Sequence, residues 1–141
     1  MSEKILNKLA EAKDSVKLVR ENLPDTYKKF LSMNRLERDG IYKNIEFAIQ
    51  NILDICAIIA KDEDLRVPNN DDDIFAELQD ADLMKEDVIE TIRKMKGFRN
   101  FLVHRYGTLD DEIAYNDIKT GLRDFTIVFK EIENIVFSST S

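Results

Sequence analysis

Apolar residues at Ile5, Leu9, Ala12, Val16, Val19 and Leu23 alternate steps of four and three, the spacing that aligns one face of an α-helix, until Pro24 interrupts it. A second stripe, Ile41, Ile45, Ala48, Ile52, Ile55 and Ile59, predicts a helix that begins near Asp25, with that aspartate as N-cap and Gly40 as a break or kink before the stripe. Periodicity then fails over 61–73, where Asp, Glu, Asn and Pro68 collect. This reads as the one long exposed connection, followed by a short helix through Phe75 and Leu78. Helical spacing returns from about Met84 to Arg105 and, after Gly107, along Ile118, Leu122, Phe125, Phe129, Ile132 and Val136. The tail, 138–141, is expected to fray.

Four or five such helices predict an all-α, antiparallel bundle, with 1–137 as a single domain. Composition agrees. Hydrophobic residues make up 43% of the 141, enough for a core, and four Gly with two Pro leave too little turn chemistry for a sandwich or barrel. The one cysteine, Cys56, lies in the apolar run 52–59, so no intrachain disulfide is possible and a small buried side chain is expected. No apolar stretch reaches 18 residues, and Met1-Ser2-Glu3-Lys4 opens a charged amphipathic pattern, which points to the cytoplasm and away from a membrane.

A net charge of −7 argues against a broad basic surface for nucleic acid, but its distribution qualifies that. Residues 62–90 carry twelve acidic and two basic side chains, whereas 91–107 carry Arg93, Lys94, Lys96, Arg99 and Arg105 with no acid. A local basic site in an acidic protein follows. The Asp71-Asp72-Asp73 run lacks the alternate spacing and glycine of a calcium loop and has no histidine beside it, so no metal is assigned. No glycine loop cradles a phosphate, and no cofactor is expected; Gly97, alone inside its helix, reads as a close-packing point.

The basic segment breaks its own pattern. Its apolar seam runs Val88, Ile92, Met95, then Arg99, Leu102 and Tyr106. An arginine on a buried seam needs a carboxylate such as Asp54, which could also orient it, or a cleft open to an anion. Asn100 and His104, four apart, share a second face, while Arg99 and His104 diverge by roughly 140° on an ideal helix. They converge if the helix loosens, if side chains reach around its end, or if a second subunit brings its copy across a two-fold axis. Cleaving RNA without metal takes a base for the 2′-hydroxyl, a cation for the phosphate and an acid for the leaving oxygen. The chain has one histidine, so a homodimer would supply the second. Lys94, Lys96 and Arg105 are candidate phosphate contacts.

The octapeptide Arg99-Asn100-Phe101-Leu102-Val103-His104-Arg105-Tyr106 resembles the signature of the HEPN superfamily, and the tyrosine two residues after the histidine resembles its HepT-like branch. The likeness extends through the 49–60 helix with Asp54 embedded and through Asp110-Asp111-Glu112 before the last helix. It implies a dimeric HEPN-like bundle acting as an endoribonuclease toxin of a type II or VII-like pair, with Arg99, Asn100 and His104 catalytic. It also implies a minimal nucleotidyltransferase antitoxin that adds AMP to Tyr106, whose phosphate would occupy the cations meant for RNA. Two other readings stand beside it: a noncatalytic HEPN module that binds a nucleotide or a partner nucleotidyltransferase through the same cleft, and a plain helical interaction protein.

Overall fold

The computed structural model describes residues 2–63, 70–103 and 110–138. Among these, six helices occur: α1 Ser2–Asn22, α2 Tyr27–Ser32, α3 Arg35–Asp62, α4 Asp71–Asp80, α5 Glu86–Val103 and α6 Asp111–Ser138. The predicted stripe of α1 is buried from Ile5 to Val19, and that of α3 from Ile41 to Ile59. The β-branched isoleucines of α3 are indifferent helix formers, so packing rather than propensity holds this helix.

The region after Pro24 differs from expectation. Thr26, not Asp25, caps α2 by accepting from the Lys29 N–H at 3.2 Å. A second cap, Asn34, accepts from Glu37 N–H at 2.8 Å and starts α3 afresh, which adds one helix to the expected number. Thr and Asn side chains at extended φ/ψ satisfy the first free N–H groups, and each cap fixes a start that hydrophobic spacing does not resolve. Arg38 holds the corner by donating to the carbonyls of Leu31 and Met33 at 2.9 and 2.8 Å. Gly40 marks no break; it lies inside the continuous α3.

The long helices form an up-down-up-down bundle. Lys8 meets Asp54 while Leu18 and Asn22 border Ile41 and Asn44, so α1 and α3 are antiparallel. Lys13 meets Glu133 while Arg20 meets Leu122 and Thr126, so α1 and α6 are antiparallel as well. Lys85 meets Glu131 and Phe98 borders Ile118, which sets α5 against α6 in the same sense. α3 is therefore central, packed on α1, α4 and α5. One cluster of buried residues, drawn from all six helices, forms the core.

Local chemistry fixes the joints around α5 and α6. The Asp71-Asp72-Asp73 run forms the first turn of α4 behind the cap Asn70, where acidic groups favour the positive end of the helix dipole. Just past the end of α4, Asp82 takes φ 55°, and the N–H groups of Asp82 and Leu83 reach back to the carbonyls of Gln79 and Leu78 at 3.0 Å each. The buried Glu131 of α6 accepts from Lys85 N–H at 2.9 Å, just before α5. Asp110 caps α6 by accepting from Glu112 and Ile113 N–H, both at 3.1 Å. α6 ends at Ser138; of the expected frayed tail, 139–141 lie outside the described residues.

Candidate active site

Arg99 stands one turn before the end of α5, on the seam whose neighbours Val88, Ile92, Met95 and Leu102 are all buried. Its Nη1 donates to Gln50 Oε1 of α3 at 2.8 Å. Gln50 Nε2 in turn donates to Asp54 Oδ1 at 2.9 Å, and Lys8 Nζ of α1 reaches Asp54 Oδ2 at 3.4 Å. A polar relay thus crosses three helices from the arginine to a half-buried lysine. Of the two settings expected for Arg99, a carboxylate partner such as Asp54 or a cleft open to an anion, the direct pairing does not form; contact runs through Gln50, because Asp54 lies one helical turn further along α3. Spacing did carry a signal for Gln50: a glutamine four residues before an aspartate shares its helix face and can bond to it.

Arg99 remains under-satisfied. Its Nε is shielded from solvent and makes no hydrogen bond among the described residues. A guanidinium has five N–H donors, and a buried donor left unpaired costs about 1–3 kcal/mol, so this one can take a further acceptor. Asn100 is half-buried beside it. His104, Arg105 and Tyr106 lie outside the described residues, between Val103 at the end of α5 and the cap Asp110. Whether Arg99 and His104 converge thus falls outside the described structure.

The other basic residues of α5 face elsewhere. Lys96 and Arg93 reach Asp72 of α4 at 3.5 and 3.6 Å, and Arg93 also lies 3.3 Å from Glu90 and 5.1 Å above the Phe75 ring. The acidic run around Asp72 therefore compensates part of the basic segment. Lys94 borders a groove of about 250 Å³ between α3, α5 and α6, with Asp117 and Asp124 opposite and Ile49, Met95 and Phe98 among the apolar wall. Gly97 is exposed, and a Cβ there would meet nothing within 4 Å, so it is not a close-packing point. Phe101 follows the arginine half-exposed and stacks on Phe98 with centroids 6.0 Å apart.

Fold and site together define an all-α bundle that places an arginine, held by a polar relay, in the seam between α3 and α5. The chain belongs to the HepT-like ribonuclease family, whose model matches residues 12–132. It is 26% identical over 127 residues to the mRNA nuclease HepT of Shewanella oneidensis, covering 89% of this chain and 92% of that one. It is 30% identical over 84 residues to a candidate RNase of Archaeoglobus fulgidus, spanning 60% of this chain but only 63% of the archaeal protein. Among solved structures it resembles the tri-AMPylated Shewanella oneidensis HEPN toxin in complex with MNT antitoxin, with TM-score 0.82, 26% identity, and coverage of 94% of this chain and 98% of that one. The expected fold and the HEPN, HepT-like resemblance are thus borne out. Among the described residues no helix is long and apolar enough to cross a membrane.

Proposed function

We propose that this protein is a metal-independent endoribonuclease toxin in which Arg99, Asn100 and His104 act on the RNA and Tyr106 is the point of control. The observation that carries the reading is Arg99 itself: a cation kept on an apolar seam, held at one nitrogen by Gln50 and under-satisfied at another. Membership of a ribonuclease family and likeness to a nuclease named for mRNA support it.

In this reading His104 takes the proton of the 2′-hydroxyl, the 2′-oxygen attacks the phosphorus, and the bond to the 5′-oxygen breaks. A second His104, from the other subunit of a homodimer, protonates the leaving 5′-oxygen, and a 2′,3′-cyclic phosphate remains. Arg99 binds the non-bridging oxygens as charge builds there, Asn100 hydrogen-bonds phosphate or ribose, and Asp54 supports Arg99 from behind. Lys94 and Arg105 are the better candidates for flanking phosphates, since Lys96 is already engaged by Asp72. The partner is a minimal nucleotidyltransferase antitoxin, a reading supported by the MNT complex of the Shewanella toxin. AMP on Tyr106, seven residues after Arg99 in the sequence, would add a phosphate to the basic segment and compete with RNA for its cations.

Inducible expression in a bacterial host tests this. Wild type is expected to arrest growth, and His104→Ala and co-expressed nucleotidyltransferase are each expected to relieve the arrest. Arrest that persists in His104→Ala would count against catalysis and favour a module that acts by binding alone.

A further inference from the structure

We propose that Gln50 is a positioning residue for Arg99, a neutral spacer that fixes the guanidinium while leaving its charge free for phosphate; the inference rests on the ribonuclease reading above. The amide has only one way to fit. Asp54 can only accept and the guanidinium can only donate, so Nε2 must face the carboxylate at 2.9 Å and Oε1 the arginine at 2.8 Å. The Gln50 side chain is thus clamped from both ends, and the helix face it shares with Asp54 sets its direction.

A carboxylate in place of that amide would hold Arg99 equally well, but as a direct ion pair it would offset the charge and compete with the phosphate for the same N–H donors. The chain keeps its carboxylate one link further along the relay, at Asp54, and balances it there with Lys8 at 3.4 Å. The relay therefore transmits position without delivering a counter-charge. Orientation matters because a guanidinium grips phosphate through a planar fork, and a misaligned fork loses the bidentate contact.

The test exchanges the two groups. The double variant Gln50→Glu/Asp54→Asn keeps net charge. The amide introduced at position 54 can donate to the carboxylate introduced at position 50, which in turn accepts from Arg99, so both hydrogen bonds survive while the charge moves onto the arginine. We expect its melting temperature to stay near that of wild type, its KM for RNA to rise on the order of tenfold, and its salt dependence of binding to become shallower. Gln50→Met, which keeps the volume and removes the amide, should retain the fold and lose roughly tenfold in kcat/KM, mostly in kcat. Wild-type KM and kcat in either variant overturn the inference, because a merely structural glutamine would alter melting and leave the kinetic constants of the folded protein alone. Wild type that cleaves RNA while Arg99→Ala does not upholds the underlying reading independently; wild type that does not cleave overturns both.

Discussion

Tyr42 on α3 donates a hydrogen bond to the Asp111 carboxylate in the first turn of α6. That turn follows directly on the segment that carries His104, Arg105 and Tyr106, whose other end is the last turn of α5. Arg99 ties the end of α5 to Gln50 on the same helix, α3, so both flanks of the segment are anchored on one element. Tyr42→Phe keeps the ring packed edge-on against Phe30 and removes only the hydroxyl. Bonds to charged acceptors are worth about 1.5–3 kcal/mol, so urea unfolding should show a loss of roughly that size. A midpoint unchanged from wild type would mean that this tie does not anchor α6.

Arg99→Leu should separate stability from function. Leucine completes the apolar seam of Val88, Ile92, Met95 and Leu102 and removes the unpartnered Nε, while Gln50 is half-buried and open to water in compensation. The variant should be as stable as wild type or more stable by up to about 1 kcal/mol, yet inactive. Marked destabilisation would show that Arg99, through its bond to Gln50, serves structure instead.

Gly97→Ala should stabilise the protein by roughly 0.5–1 kcal/mol, since the position is an exposed helix interior and a methyl group there meets nothing. Thermal melting checks it. A lower melting temperature would indicate that the exposed face at Gly97 is packed in the folded protein.

Cys56 should be inert in the native state. Burial pushes its thiol up to about 12 from an ordinary 9.0, with the charge of Asp71 adding to the effect. The folded protein therefore holds this proton where the unfolded chain releases it. The resulting stability is fully present below the ordinary value of 9.0 and is lost as pH climbs from there toward the folded value. A thiol reagent at about pH 8, where an exposed thiol is already partly ionised, should label Cys56 only after denaturant is added. Rapid labelling of native protein would contradict the buried placement.

Much of the fold was legible because two long stripes, on α1 and α3, keep strict helical spacing and are buried as that spacing requires. The corner between them was not, since Thr26 and Asn34 act through local side-chain bonds to the backbone that leave no trace in hydrophobic periodicity. At the site, Arg99 stood out as the one charge on an apolar seam. Gln50 breaks no pattern: its four-residue spacing from Asp54 signals only the bond between those two, and the three-helix arrangement is what sets it against Arg99. Lys96 looked like an RNA contact in the linear charge pattern, but folding brings Asp72 of α4 against it.

The most direct measurement is RNA cleavage by unmodified protein in EDTA, comparing wild type with Arg99→Ala and His104→Ala and mapping the product ends. Wild type should generate 2′,3′-cyclic phosphate ends without added metal, and both variants should lose them. Wild type that leaves tRNA and mRNA intact, with Tyr106 shown by mass spectrometry to carry no AMP, would contradict the nuclease account and leave a cleft that only binds.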